Sequence, residues 1–226
     1  MAVGHDALVS DAAVLDALVR AECALVAAYV ESGVAPGEVR AEVDQALGLD
    51  RQDGAASATF DIDALIAASV AGGNPVIPLV GMLKQRVPAD HRAWIHRGAT
   101  SQDILDTALM IVARRAVKQV RASLGDAAEA LRQLAVRHAD DIAAARTLTQ
   151  HAVPTTVGAR AATWAQAITR AASRLDAVIL PAQLGGAGGT LASFVEITGS
   201  VDAAAALPAV YARAAGLDVP DAPWHV

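Results

Sequence analysis

Aromatic residues are nearly missing from this chain: Phe, Trp and Tyr make up 3% of its 226 residues, while 54% are hydrophobic. Alanine and branched aliphatics must therefore build the core. Alanine is the strongest helix former and lets helix axes approach closely, so a tightly packed all-α protein is predicted rather than a sheet protein. The length suffices for one large or two small domains with a substantial core. The single cysteine, Cys23, excludes an internal disulfide and suits a reducing compartment. Its helical spacing reads as a buried, inert thiol.

A basic field is also lacking. The net charge of −6 offers nothing to a nucleic-acid backbone, so any anion site must be local. Two charge-free stretches, 64–83 and 177–195, are broken by Gly72, Gly73, Asn74, Pro75 and Pro78, and by Pro181, Gln183 and several glycines. A spanning helix needs about twenty apolar residues without such breakers. Both read as buried turn-and-helix segments, and no membrane association is expected. The first residues hold His5, Asp6 and Asp11 and no base before Arg20, unlike a secretory signal, so a cytoplasmic location is predicted. The histidines show no HExxH or Cys/His ligand spacing. No metal and no cofactor is expected. The Gly185–Gly189 run lacks a P-loop lysine and reads as a closely packed turn. Strand alternation of useful length and internal repeats are absent.

What is present is helical punctuation. Ser10 suits the N-cap of a helix running toward Gly33, and Leu15, Leu18, Val19, Glu22, Leu25, Val26 and Tyr29 recur at helical spacing. Short helices follow over 39–47, 62–71 and 76–86, punctuated by Gly54, by Gly72 to Pro75 and by Pro88. Thr100-x-x-Asp103 resembles a capping box, and no proline follows until Pro154. One helix over 101–145 would be about 65 Å long, whereas a compact globule of this size is about 45 Å across. Such a helix needs partners from other subunits. A second long helix is predicted over 156–180, ending at Pro181.

Two polar clusters stand at helix ends. One is His96-Arg97-Gly98-Ala99-Thr100-Ser101-Gln102-Asp103. The other is Arg146-Thr147-Leu148-Thr149-Gln150-His151-Ala152-Val153-Pro154-Thr155-Thr156. Helix N-termini attract carboxylates, Arg146 adds a cation, and His96 and His151 add imidazoles suited to proton transfer near neutral pH. Together they suit a small polycarboxylate substrate.

These clusters carry a resemblance. Gly73-Asn74-Pro75-Val76-Ile77-Pro78-Leu79-Val80 is followed by His96-x-Gly98-Ala99-Thr100-Ser101-Gln102-Asp103-x-x-Asp106-Thr107. Then come Ala145-Arg146-Thr147-x-x-Gln150-His151-Ala152-x-Pro154-Thr155-Thr156 and Gln183-Leu184-Gly185-Gly186-Ala187-x-Gly189-Thr190. In this order the blocks resemble the fumarase/aspartase/argininosuccinate lyase/adenylosuccinate lyase superfamily, and within it the 3-carboxy-cis,cis-muconate cycloisomerases. The resemblance implies a smaller N-terminal helical domain over 1–100, followed by the first part of a long-helix bundle domain over 101–226. It also implies a homotetramer whose active sites combine blocks from different subunits. Carried over by position, His151, Thr147 and Ser101 are the expected catalytic residues. His96, Thr100, Gln102, Arg146, Gln150 and Thr155 would bind substrate.

Two departures matter. Many of the related lyases place a histidine after the threonine of the second cluster, where this chain has Leu148, so their acid–base assignment does not transfer. The superfamily's serine loop, of the Gly-Ser-Ser-x-Met-Pro-x-Lys-x-Asn type, is not found, and family chains are about twice as long. The resemblance therefore implies the N-terminal half of an enzyme, with little turnover by itself. The rival readings are an adenylosuccinate- or argininosuccinate-type lyase and a non-catalytic helical assembly protein.

Overall fold

The computed structural model describes residues 6–49 and 60–225; Gly54, one of the punctuating glycines, lies outside them. Two compact units divide the chain. One runs to Arg115 and resumes at Leu180, and the other is Ala116–Ile179.

In the first unit, α1 (Asp11–Glu31) starts where Ser10 Oγ accepts the Ala13 N–H. Leu15, Leu18, Val19, Leu25, Val26 and Tyr29 are buried, but so are Ala17, Ala21, Ala24 and Ala28, so α1 is enclosed on all sides, as its near-uniform hydrophobicity requires. It packs against α2 (Glu38–Ala46), α3 (Ile62–Gly72) and α8 (Val201–Ala215). The turn before α4 (Val76–Arg86) is set by Gly73, at φ 74°, and by the Asn74 side chain, which accepts the Val76 and Ile77 N–H groups. The 64–83 stretch is less buried than its composition suggests. Leu65 is the only buried residue of α3, and Val70 is 82% exposed. No described helix is long and apolar enough to cross a membrane. α5 (Ser101–Arg137) contributes Ile104, Ala108, Ile111 and Val112 to the core, and Phe194 of α7 (Ala192–Thr198) joins them.

The second unit corrects three expectations. The helix predicted over 101–145 ends at Arg137, giving α5 a length of about 55 Å. Beyond it, β1 (Ile142–Thr147) and β2 (Gln150–Thr156) form an antiparallel hairpin where no strand was expected. Strand alternation arises when one face is buried. Most residues of this hairpin are exposed on both faces, so the alternation that would have announced it is missing. Gly125 does not interrupt α5. α6 (Val157–Asp176) is shorter than the predicted 156–180 helix and is capped by Thr156, whose Oγ1 accepts the Ala159 N–H. The start of α6 presses on the end of α5. A Cβ on Gly158 would lie 2.5 Å from the Ala135 carbonyl oxygen, so only glycine fits there. At the far end Arg121 pairs with Asp176 at 2.8 Å.

Candidate active site

The first cluster is assembled within the first unit, where Ile95 ends a short 3-10 segment and Ser101 begins α5. His96 adopts φ 58°, a left-handed conformation uncommon for a residue with a side chain. A fully buried carboxylate holds it there. Glu22 Oε1 meets His96 Nδ1 at 2.7 Å, and Glu22 Oε2 accepts the His96 N–H at 3.0 Å. The neighbouring chain is fixed by the Tyr29 hydroxyl, which donates to the Arg97 carbonyl at 2.6 Å, and by Ser193 Oγ, which donates to the Gly98 carbonyl at 2.6 Å.

Asp103 anchors the start of α5. It is buried and accepts N–H groups from Thr100 (2.9 Å), Gly185 (2.8 Å) and Gly186 (3.0 Å), together with the Gln183 amide (3.3 Å). Burial raises its carboxyl pKa above the ordinary value, while these four hydrogen bonds pull the other way. Of the capping box read at Thr100-x-x-Asp103, only the half in which Asp103 accepts the Thr100 N–H is present, because the Asp103 N–H goes to the Thr100 backbone carbonyl rather than to its hydroxyl; the same carboxylate also ties in the glycine turn. Gln183 is equally buried. Its backbone exchanges hydrogen bonds with the Thr107 hydroxyl, its side-chain oxygen accepts the Trp224 N–H at 3.1 Å, and its amide donates to the Trp224 carbonyl. The Trp224 ring nitrogen donates to Asp106 at 2.8 Å, and the Gln102 amide donates to the same carboxylate at 2.6 Å. Gln102 is therefore partly committed to the scaffold. The Thr100 and Ser101 hydroxyls are half-buried and make no hydrogen bond to a described residue, so both remain open to a ligand.

The second cluster occupies the hairpin tip in the other unit. Arg146 pairs in register with His151, and Thr147 with Gln150. A bulge between Ala144 and Arg146 re-aims the strand there, and Thr149 takes φ 68° in the turn. Arg146, Thr147, Gln150 and His151, with Thr149, line one open cavity of about 520 Å³. All are exposed. Leu148, in place of the histidine of the related lyases, is 90% exposed and does not line it. Thr155 lies lower on the hairpin, opposite Ala143 and half-buried.

Glu22 and Gln183 were not assigned to the site from sequence. Glu22 was counted among the core-facing positions of α1. The signal that could have found it is a carboxylate at a core position of an apolar helix, which must have a buried partner. Gln183 lay in a recognised block without a role.

A family model described as lyase matches residues 5–199. The chain is 44% identical to a nitrosuccinate lyase of Streptomyces davaonensis over 98% of its length and 46% of that protein. It is 37% identical to a 3-carboxy-cis,cis-muconate cycloisomerase of Pseudomonas aeruginosa over 100% of its length and 47% of that protein. Among solved structures, the β-carboxy-cis,cis-muconate cycloisomerase of Acinetobacter calcoaceticus superposes with a TM-score of 0.85 at 33% identity, covering 97% of this chain and 50% of that one. The chain spans about half the length of the curated relatives it matches.

Proposed function

The chain belongs to the lyase family, and we propose that it carries two parts of an active site performing addition or elimination on a small polycarboxylate. The observation that carries this reading is the hairpin cavity, where Arg146, Thr147, Gln150 and His151 present a cation, a hydroxyl, an amide and an imidazole together. In such reactions negative charge builds on a carboxylate beside the carbon that gains or loses a proton. Donors aimed at that charge lower the barrier when they bind it more tightly in the transition state than in the substrate. Arg146, Gln150, Thr155, His96, Thr100 and Gln102 are the proposed binding residues. Thr147, Ser101 and His151 are proposed to act at the reacting centre, His151 as the proton-transfer group.

The specific reaction proposed is lactonisation of 3-carboxy-cis,cis-muconate. A carboxylate oxygen adds to a carbon–carbon double bond of the same molecule, and a proton is delivered to the adjacent carbon. The four motif blocks and the fold-wide likeness to a cycloisomerase support it. The 44% identity to a nitrosuccinate lyase supports a second substrate, nitrosuccinate. There a proton leaves the carbon beside one carboxylate, nitrite leaves the neighbouring carbon, and an unsaturated dicarboxylate remains. Both reactions share the same charged intermediate region, so one constellation serves either.

A homo-oligomer, as a tetramer, is part of the proposal. The second unit buries alanine and glycine in α6 but leaves Val136 and Trp164 exposed, and a helix pair cannot bury its own outer faces. Copies of the chain would then supply the two clusters to a shared pocket.

The test is a pair of assays, loss of muconate absorbance and release of nitrite, on the 226-residue chain and on the chain extended to the length of its relatives. Turnover of either substrate by the longer protein is expected. No turnover of either would overturn the reading.

A further inference from the structure

Arg97 stands between His96 and Gly98, both fixed by other contacts, and is itself half-buried. Its guanidinium carbon lies 4.5 Å from the centre of the Trp94 ring. Trp94 packs in turn on Tyr29, with ring centres 5.8 Å apart and planes inclined at 52°. The Tyr29 hydroxyl donates to the Arg97 carbonyl. One tyrosine therefore steadies both the backbone of Arg97 and the ring on which its side chain lies.

Two carboxylates share this neighbourhood. Burial raises the Tyr29 hydroxyl pKa, the Arg97 cation lowers it, and Asp103 and Glu22 raise it further, so all three charges act on one hydroxyl. Neither carboxylate is open to the guanidinium. Glu22 commits one oxygen to the His96 ring and the other to the His96 N–H. Asp103 receives two donors on each of its oxygens. Among the described residues, the Arg97 guanidinium makes no ion pair and no hydrogen bond, only the contact with Trp94.

A guanidinium stacked through its face keeps its N–H groups free, because all five lie in the plane of the group. Stacking on an indole sets that plane, and a carboxylate meets its edge with two parallel hydrogen bonds. Arg97 is thus a partly desolvated cation with a set orientation and unmet donors. Thr100 and Ser101, on the same short loop, carry the hydroxyls that are open to a ligand.

We propose that Arg97 is a further substrate-binding residue, taking one carboxylate of the substrate edge-on while its face stays on Trp94. The assignment rests on the polycarboxylate reading given above, and it gives the first cluster a cation of its own, as Arg146 serves the hairpin.

Tricarballylate, a tricarboxylate that neither proposed reaction consumes, is titrated calorimetrically into the 226-residue chain and into its Arg97→Gln, Arg97→Lys and Arg146→Gln variants. The unaltered chain is expected to bind with Kd at or below about 1 mM, and Arg97→Gln should bind about tenfold more weakly or worse. Arg97→Lys keeps the charge but loses the fork, so it should remain at least about threefold weaker than the unaltered chain. The Arg97 Nε–H resonance, assigned by its loss in Arg97→Gln, should move as tricarballylate is added; a guanidinium that only packs on Trp94 would not respond. Full affinity in Arg97→Gln or Arg97→Lys, a resonance indifferent to tricarballylate, or no binding at all would each overturn the proposal. Binding lost in Arg146→Gln but kept in Arg97→Gln would overturn it and leave the polycarboxylate reading in place. Arg97-dependent binding, in a protein whose extended form turns over neither substrate, would support the carboxylate site and sink the lyase reading instead.

Discussion

Glu22 grips His96 at two points, with one carboxylate oxygen on the ring Nδ1 at 2.7 Å and the other on the backbone N–H at 3.0 Å. The side chain of Glu22 is fully buried, whereas that of His96 is 19% exposed. The contact joins the middle of α1 to the loop preceding α5 and sets which ring nitrogen faces outward. With Nδ1 donating to the carboxylate, Nε2 is the atom left to meet a ligand.

Removing that carboxylate leaves two donors without their acceptor. Glu22→Ala should therefore lower stability by about 2–3 kcal/mol, read from urea unfolding. Nitrogen-15 shifts should show His96 as the Nδ1–H form in the unaltered chain and as a tautomer mixture in the variant. An unchanged tautomer would show that Glu22 does not orient the ring.

Asp103 gathers four donors onto two oxygens. In Asp103→Asn one oxygen becomes an NH2 facing other N–H groups, and a loss of about 1–3 kcal/mol is expected. The raised pKa also has a pH signature. Its folded value lies above the unfolded one, so between the two the native state holds the proton more often. Its contribution to stability is then fully present below the unfolded pKa and is lost as pH rises through the folded pKa. The difference in unfolding free energy between wild type and Asp103→Asn should change across that acidic window and level off above it.

Gly98 and Gly125 should respond oppositely to alanine. Gly98 has φ 72°, and an added Cβ would lie 2.6 Å from Ile197 Cδ1, so Gly98→Ala should cost about 1–3 kcal/mol. Gly125 sits inside α5, where a Cβ would meet only Arg121 Nη1 at 3.8 Å. Gly125→Ala should stabilise the chain by about 0.5–1 kcal/mol. Thermal melts of the two variants check both signs.

His151 is exposed on the hairpin, so His151→Ala should leave stability within about 0.5 kcal/mol of wild type. In whichever protein turns substrate over, the same change should lower kcat by about tenfold or more, because the side chain is proposed to move a proton. An unaltered kcat would remove His151 from the chemistry and leave the binding role of Arg146 to be tested by KM.

The helices were legible where local chemistry decides them. Ser10, read as a cap, and Thr156, read as the start of a helix, each place an oxygen on the N–H three residues ahead, a bond that needs nothing but the local chain. The hairpin was not legible. Ile142, Leu148 and Val153 are all more than 70% exposed, and a strand pair with no buried face leaves no alternating pattern to read. The site residues divide the same way. Arg146, Thr147, Gln150 and His151 stood out as an unusual mixture of polar groups, but their pairing across two strands depends on a bulge at Ala145 and a left-handed Thr149.

The sequence by itself determined the helical class, the caps and the two polar clusters, because each follows from contacts within a few residues or from composition. Only the tertiary structure decided that Glu22 belongs to His96 and that Asp103 belongs to the Gly185–Gly186 turn. These partners lie far apart along the chain. Buried charge must find a partner, but the fold chooses which partner comes within reach.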